Sequence, residues 1–143
     1  SFEEFVAENN LQKNVIFTGY RKDILQIFSF CDVIAVPSLF EGMPNIVIEA
    51  MALKKPVVGT DIPEIVELIE DGKNGFLVPV RNNESKIADK IITLLNQPGL
   101  RKSMGDRGYD IVQKRFSLQL MVKRYEEVYS SGVENVCDMR NDK

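Results

Sequence analysis

Two glutamates in one short stretch are the residues best suited by type and spacing to do chemistry. Glu41 and Glu49 stand eight positions apart with no other charged residue between them. Gly42 and Pro44 follow Glu41, and proline fits the first turn of a helix because it lacks an amide hydrogen that would be unpaired there. We therefore predict a loop at Glu41 and a helix over 45–53 that carries Glu49. Carboxylates of this kind accept hydrogen bonds from hydroxyl groups and can exchange protons.

The predicted helix after Pro44 is nearly all apolar and therefore largely buried. At about 100° per residue, Asn45, Glu49 and Ala52 share one narrow face, and aliphatic side chains cover the rest. A carboxylate in such surroundings loses hydration, which is tolerated with hydrogen-bonding partners or at the lip of a cleft. Helical spacing alone favours a solvent-facing stripe on a core helix, since Glu is mostly exposed in proteins. A binding site is the alternative.

Composition excludes several classes of function. The chain has 143 residues, 44% of them hydrophobic, which is the size of one globular domain with a real core. A net charge of −3 provides no basic field for nucleic acid or an anionic membrane surface, so no nucleic-acid partner is expected. The chain has no histidine, which removes the commonest metal ligand and general base. We expect no metal site and no cofactor.

The sequence also carries signs of cellular location. No apolar run approaches the roughly 18–20 residues of a membrane span, and the first residues do not resemble a signal peptide. Cys31 lies in an apolar run and Cys137 in a polar segment, so neither a disulfide framework nor a metal spacing is present. We expect a cytoplasmic protein.

Short apolar runs alternate with helical patterns along the first half of the chain. The predicted strands cover 15–18, 33–36, 57–59 and 76–78, and the predicted helices between them cover 23–30, 45–53 and 63–69. Such alternation indicates an α/β fold with a parallel sheet and flanking helices. Ligands bind such sheets at the carboxyl ends of the strands, which here are 19–21, 38–41 and 60–61.

Helical patterns fill the rest of the chain. The chain opens inside a helix around Phe2 and Phe5, and three more helices are predicted over 87–95, 100–114 and 117–129. We interpret the aromatic side chains of Phe2, Phe5 and Phe116 as core residues. From residue 130 the composition is polar, and we expect a frayed tail.

The complete string around the two glutamates is more specific than the pair alone. Glu41-Gly-x-Pro-(x)4-Glu49-Ala-Met-Ala closely resembles the paired-glutamate motif in the donor-binding domain of retaining, nucleotide-sugar-dependent glycosyltransferases of the GT-B fold. Further matching pieces follow the order that they have in that family: Phe17-Thr18-Gly19, Cys31-Asp32-Val33, Val36-Pro37-Ser38, Pro56-Val57-Val58, Pro63-Glu64-Ile65-Val66, Asp71-Gly72-Lys73-Asn74-Gly75 and Arg115-Phe116-Ser117. The resemblance implies a Rossmann-like C-terminal domain over 1–129, followed by a polar tail over 130–143.

The resemblance also implies roles for particular residues. Glu41 would be the catalytic residue that bonds hydroxyls of the donor sugar, and Glu49 would hold the nucleotide ribose. The turn before the helix would face the diphosphate with its free amides, and the loop after the first predicted strand would contact the base. The donor-binding residues are then Glu41, Gly42, Met43, Pro44, Asn45, Ile46, Glu49, Tyr20 and Arg21.

The implied reaction is transfer of a hexose from a nucleotide diphosphate to an acceptor hydroxyl with retention, as in polysaccharide or glycolipid biosynthesis. The acceptor is a sugar, a lipid-linked group or another hydroxyl compound, and a missing N-terminal domain would bind it. That domain could also place the enzyme at the inner face of the membrane. The family normally needs no metal ion, in agreement with the missing histidine.

The sequence departs from the family pattern at several points. Residues 59–63 lack the Gly-Gly pair of many relatives, Asn82 and Asn83 stand where an acid is frequent, and the Arg and Lys that neutralise the diphosphate are not in this chain. Two other functions stay open: a non-catalytic interaction module with the same fold, and a sugar-nucleotide epimerase, which the missing histidine disfavours.

The family arranges its strands in the order 3-2-1-4-5-6, and this chain begins before the third, so the first two strands would be absent. A gap in the middle of a sheet leaves backbone groups unpaired, at a cost beyond a domain's net stability. We therefore expect residues 1–143 alone to be inactive, and either to pair 15–18 directly with 33–36 or to self-associate by exchanging strands.

Overall fold

A parallel sheet of three strands forms the centre of the fold. The computed structural model describes the backbone of residues 1–141 and the side chains of residues 1–130. The strands are β1 (Ile34–Val36), β2 (Val57–Thr60) and β3 (Gly75–Val78), in the order β1-β2-β3. Both pairs of neighbouring strands are parallel, so the carboxyl ends of all three lie at one edge of the sheet.

Helices connect the strands and continue beyond them. They are α1 (Phe2–Glu8), α2 (Ile24–Phe30), α3 (Asn45–Ala52), α4 (Pro63–Val66), α5 (Glu84–Asn96), α6 (Pro98–Arg115) and α7 (Leu118–Asn141). The α/β fold class, the parallel sheet and the flanking helices predicted from the alternating pattern are confirmed. The helix predicted over 63–69 is shorter in the structure, where it ends at Val66. Leu68 and Ile69, which follow it, are nevertheless buried.

The middle strand, β2, is covered on both faces of the sheet. All four residues of β2 are buried, and their side chains alternate between the two faces, as strand geometry requires. Val57 belongs to a cluster with residues of α2, α3, α4 and α6, whereas Val58 belongs to a second cluster with Leu94 and Met104. A strand buried on both sides reads as a continuous apolar run, which is why this one was recognisable in the sequence.

Helix α3 lies against α6 at very short distance. A Cβ added at Gly108 would approach the Cγ of Met51 to 3.1 Å, and one added at Gly105 would lie 2.0 Å from the carbonyl oxygen of Lys54. Lys54 itself has a positive φ of 58° just after α3 ends. The two glycines therefore allow α6 to contact both the side chains of α3 and the backbone that follows it, and this contact fixes the direction of α3.

The predicted strand over 15–18 is wrong, and the described sheet has three strands instead of four. The amide of Val15 donates to the carbonyl of Leu11 at 3.0 Å, so the chain is still turning where the strand was predicted to begin. Ile16 is 83% exposed. The expected direct pairing with β1 does not form, and within the described residues β1 pairs with β2 alone. A short apolar run becomes a strand only where a partner accepts its ladder of hydrogen bonds.

The interpretation of Phe2 and Phe5 as core residues is also wrong. They are 82% and 60% exposed, and Val6 is the one buried residue of α1. The helix is held locally by a capping box, in which the amide of Glu4 donates to the Ser1 hydroxyl and the Glu4 side chain bonds back to the Ser1 backbone. Phe116, by contrast, packs against the main core cluster as predicted.

The last described element is helix α7. Helix α7 continues past residue 129 to Asn141, so the predicted boundary does not coincide with the end of a helix. Residues 142 and 143 lie outside the described backbone. Across the described residues, no helix is both long enough and apolar enough to cross a membrane.

Gly105→Ala should destabilise the full-length protein by about 1–3 kcal/mol, as overpacking of a filled interior typically does. The added methyl would meet the backbone carbonyl of Lys54, which cannot move aside as a flexible side chain could. Gly99→Ala in the same helix is the matched control, because a Cβ there meets no described atom within 4 Å. It should leave stability unchanged or raise it by up to about 1 kcal/mol. Urea denaturation measures both, and equal effects would contradict the close contact.

Candidate functional site

The candidate site lies where the carboxyl ends of β1 and β2 meet. The loop 37–44 leaves β1 and leads into α3, and Thr60 is the last residue of β2. In open parallel sheets this edge is where ligands bind, because the loops there are free to diverge from the packed strands. The predicted position of the site at 38–41 and 60–61 therefore coincides with one contiguous part of the fold.

Glu41 is half-buried and held by a neighbour in its own loop. The hydroxyl of Ser38 donates a hydrogen bond of 2.6 Å to Oε1 of Glu41. This length is typical of a hydroxyl that bonds an ionised carboxylate, one of the stronger classes of hydrogen bond. Among the described residues Oε2 has no partner, so one oxygen of the carboxylate is fixed and the other is available to a ligand.

The loop is tied to the neighbouring strand as well. The hydroxyl of Thr60 donates to the backbone carbonyl of Ser38, and Thr60 is 0% exposed. The sequence pattern placed 38–41 and 60–61 at the ligand-binding edge of the sheet, but it did not predict the hydrogen bonds that join Thr60, Ser38 and Glu41. A hydroxyl residue at the end of a buried apolar strand was the available signal, since a buried polar side chain requires a hydrogen-bonding partner.

The beginning of α3 leaves one amide unsatisfied. The amide of Asn45 donates to the Met43 carbonyl at 2.8 Å, and that of Val47 donates to the Pro44 carbonyl at 2.9 Å. The amide of Ile46 has no acceptor in the part of the chain that the structure describes. No side chain caps the helix, and no acidic residue lies in its first turn. The positive end of the helix dipole is therefore uncompensated and can attract an anion.

Glu49 lies one turn further along the same helix. It is half-buried, whereas Asn45 and Ala52 on the same face are exposed and Val47 and Met51 are completely buried. This arrangement agrees with the predicted polar stripe. Within the described residues the Glu49 carboxylate makes no hydrogen bond and no ion pair. The partner that the sequence analysis expected for this carboxylate is thus not supplied by the described chain.

A cleft of about 310 Å³ lies beside the turn that precedes α3. The cleft is lined by Gly42, Met43 and Pro44, by Glu64 in α4 and Glu67 directly after it, and by the apolar residues Ile48, Leu68 and Phe116. No sequence pattern predicted that Glu67 and Phe116 lie beside the turn. They come from distant parts of the chain, and only tertiary packing brings them together.

Tyr20 and Arg21 occupy a separate exposed loop. Tyr20 is 89% exposed, and Arg21 forms two hydrogen bonds of 2.8 and 2.6 Å with the carboxylate of Asp23. This side-chain pairing raises the pKa of Arg21 and lowers the pKa of Asp23. Neither Tyr20 nor Arg21 lines the cleft beside Pro44. The structure therefore shows an accessible loop, with the guanidinium already engaged by an internal carboxylate.

Acidic side chains in the site do not form a metal centre. Among the residues that the structure describes, no group of three or more Asp, Glu or Cys side chains is arranged to hold a metal ion. The site consists of separate carboxylates around an uncapped helix terminus. Such an arrangement can accept hydrogen bonds from hydroxyl groups on either side of a bound anion.

Comparison with known proteins identifies similar sequences and folds. The family model described as glycosyl transferases group 1 matches residues 1–97. Among curated proteins, the chain is 36% identical over 130 residues to an uncharacterized glycosyltransferase of Methanocaldococcus jannaschii, covering 89% of this chain and 36% of that protein. It is 30% identical over 127 residues to the capsular polysaccharide biosynthesis glycosyltransferase CapM of Staphylococcus aureus, covering 89% of this chain and 32% of CapM.

Solved structures include proteins with a similar fold. The chain superposes on Anabaena HepE in complex with UDP with a TM-score of 0.84 and 27% identity, covering 91% of this chain and 36% of HepE. HepE has also been solved in complex with UDP-glucose. The chain spans about a third of the length of the relatives that it matches.

Glu49→Gln should change the free energy of unfolding by less than about 0.5 kcal/mol, the usual range for a surface substitution that breaks no contact. The reason is that its carboxylate has no partner in the described chain. Met51→Ala on the buried side of the same helix is the contrasting variant and should cost about 2–5 kcal/mol. Urea denaturation of the full-length protein compares them. Comparable losses would show that Glu49 belongs to the framework of the fold.

Proposed function

The chain belongs to the glycosyl transferases group 1, and we propose that residues 1–129 bind the nucleotide-sugar donor of an enzyme that transfers the sugar to a hydroxyl group. One observation carries this proposal. Glu41 lies in the loop before the uncapped beginning of α3 and Glu49 lies one turn into that helix, and both are half-buried carboxylates with an oxygen that has no partner among the described residues. A nucleotide sugar presents complementary chemistry, because its anionic diphosphate lies between two groups that carry hydroxyls.

In this proposal Glu41 accepts hydrogen bonds from hydroxyls of the donor sugar through its free oxygen. The turn of Gly42, Met43, Pro44 and Asn45 and the amide of Ile46 face the diphosphate, where the helix dipole favours negative charge. Glu49, one helical turn further along, accepts hydrogen bonds from the ribose. The unpaired amide and the unpaired Glu49 carboxylate support this order, and the structure of the relative HepE in complex with UDP-glucose supports a nucleotide sugar as the ligand.

We assign contact with the nucleotide base to the loop of Tyr20 and Arg21. Backbone groups of this loop are suited to the contact, since the Arg21 side chain is held by Asp23. The exposure of Tyr20 leaves its ring free to approach a bound base. The assignment rests on the family resemblance and on the accessibility of the loop.

The proposed chemistry is retention of configuration during transfer of a hexose, with catalysis by electrostatics. Positive groups stabilise the leaving diphosphate, and the carboxylate of Glu41 stabilises the positive charge that develops on the sugar. Parts of the protein outside residues 1–143 bind the acceptor. They also supply the further cations that neutralise the diphosphate. This division agrees with the length of the relatives, of which the chain spans about a third. Residues 1–143 alone are then inactive.

Glu49→Gln should weaken binding of UDP and of UDP-glucose equally, by about 1.5–3 kcal/mol or roughly ten- to hundredfold, because a charged hydrogen bond to the ribose is lost. Isothermal titration of the full-length protein measures both affinities, and a panel of other nucleoside diphosphates identifies the base. Asp89→Asn is the control, because Asp89 is an exposed carboxylate of α5 that belongs neither to the candidate site nor to the proposed contacts. If Glu49→Gln binds UDP and UDP-glucose with unchanged affinity, Glu49 is not part of the binding site.

Glu41→Ala should lower turnover strongly and leave the affinity for UDP nearly unchanged, because its proposed partner is the sugar. Initial rates with UDP-glucose or the preferred donor, measured beside calorimetric titration with UDP, separate the two effects. If UDP and the sugar nucleotide lose affinity to the same extent, Glu41 contacts the nucleotide and its assignment here is wrong.

A further inference from the structure

We propose that Ser38 is a positioning residue for Glu41, and that Thr60 fixes Ser38 from the neighbouring strand. The inference rests on the proposed function, because it explains how the carboxylate assigned to the donor sugar is held in place. Thr60 of β2 and two residues of the loop after β1 form one chain of hydrogen bonds, which runs from the Thr60 hydroxyl to the Ser38 carbonyl and from the Ser38 hydroxyl to Glu41.

The loop that carries Ser38 and Glu41 is poorly packed between these two residues. Leu39 and Phe40, which lie between Ser38 and Glu41, are 71% and 79% exposed. Burial of apolar side chains therefore does not hold this part of the loop within the described chain. The next buried residue is Pro44, beyond Glu41. The hydrogen bond from Ser38 is the contact that restricts the Glu41 carboxylate.

Thr60 provides the fixed end of this chain of hydrogen bonds. It is completely buried and pairs with Val78 in the β2–β3 register. The carbonyl of Thr60 accepts from the amide of Ile62 at 2.9 Å, and the following amide, of Asp61, donates to the Val78 carbonyl at 2.8 Å. The backbone around Thr60 is thus held on both sides of the residue. The hydroxyl of Thr60 bonds the Ser38 carbonyl, so the loop that follows β1 is held to this ordered part of the sheet.

The bond also makes the two oxygens of Glu41 unequally available to a ligand. A serine hydroxyl has a single hydrogen to donate, and Ser38 donates it to Oε1. Oε1 has then used part of its capacity to accept, whereas Oε2 has no partner among the described residues and is the oxygen more available to the hydroxyl groups of the sugar. Ser38 consequently acts on the donor sugar through Glu41 and makes no contact with the reacting atoms itself.

The test is a double-mutant cycle in the full-length protein. Ser38→Ala should lower kcat/KM for the sugar nucleotide about tenfold, the loss expected for a hydrogen bond to a charged group. It should leave the Kd for UDP unchanged, and it should have no further effect when Glu41 is already alanine. Thr60→Val, which keeps the shape of the side chain, should act in the same direction, whereas Thr60→Ser should restore the wild-type value.

Ser29→Ala is the matched control. Its hydroxyl also makes one short bond, to the carbonyl of Gln26 at 2.6 Å, but it lies in helix α2. This variant should leave kcat/KM and the Kd for UDP as in the wild type. Equal losses in Ser38→Ala and Ser29→Ala, or losses that multiply when Ser38→Ala and Glu41→Ala are combined, would overturn the proposal.

A second measurement keeps the inference distinct from the proposed function. The carboxyl ¹³C resonance of Glu41 in protein with labelled glutamate is identified by its loss in Glu41→Ala. This resonance should shift in Ser38→Ala and in Thr60→Val, and it should not shift in Ser29→Ala. A wild-type protein that binds no nucleotide sugar would refute the proposed function alone, whereas an unmoved Glu41 resonance would refute the positioning role.

Discussion

The close contact between α3 and α6 is the constraint on which the geometry of the site depends. Gly105 and Gly108 let α6 approach the backbone after α3 and the side chain of Met51. Because one face of α3 is buried in this way, the opposite face, with Glu49, is turned outward. The same contact fixes the first turn of α3 at the carboxyl edge of the sheet. The interior packing thus determines which polar groups are available to a ligand.

The site combines features that would be unfavourable in a fully packed protein. A helix terminus without a cap, an amide without an acceptor and a half-buried carboxylate without a partner each have an energetic cost. Local departures from the rules of stability are expected at functional positions, where a ligand supplies the missing partners. Carboxylates repel a diphosphate at short range. In the proposed arrangement the two carboxylates bond the hydroxyl-bearing parts of the ligand and not the diphosphate, which avoids this conflict.

Much of the fold could be predicted from the sequence because its strands and its central helix have strong local patterns. Strand β2 appears as a buried apolar run, and α3 has a clear division between polar and apolar faces. The segment 15–18 shows the limit of this reasoning, because β-propensity is local but a strand requires a partner along its whole edge. The prediction that Phe2 and Phe5 are core residues is wrong for a related reason. An amphipathic pattern predicts a helix, but it does not show whether another element covers the apolar face.

The site itself could be predicted only in part. The two glutamates and the turn between them form one continuous string and were recognised directly. The bonds among Thr60, Ser38 and Glu41, and the cleft with Glu67 and Phe116 beside the turn, depend on tertiary contacts between segments far apart in sequence. No pattern within a single segment specifies such contacts. The bond between Thr60 and Ser38 follows from the parallel register of β1 and β2, which places the ends of both strands side by side.

The most direct test of the account is a crystal structure of the full-length protein with UDP-glucose, or with the nucleotide sugar that it binds most tightly. We predict that the diphosphate lies at the amide of Ile46, that the ribose bonds Glu49, and that a sugar hydroxyl bonds Oε2 of Glu41 while Ser38 still occupies Oε1. A nucleotide bound away from the beginning of α3, with neither glutamate in contact, would contradict the account.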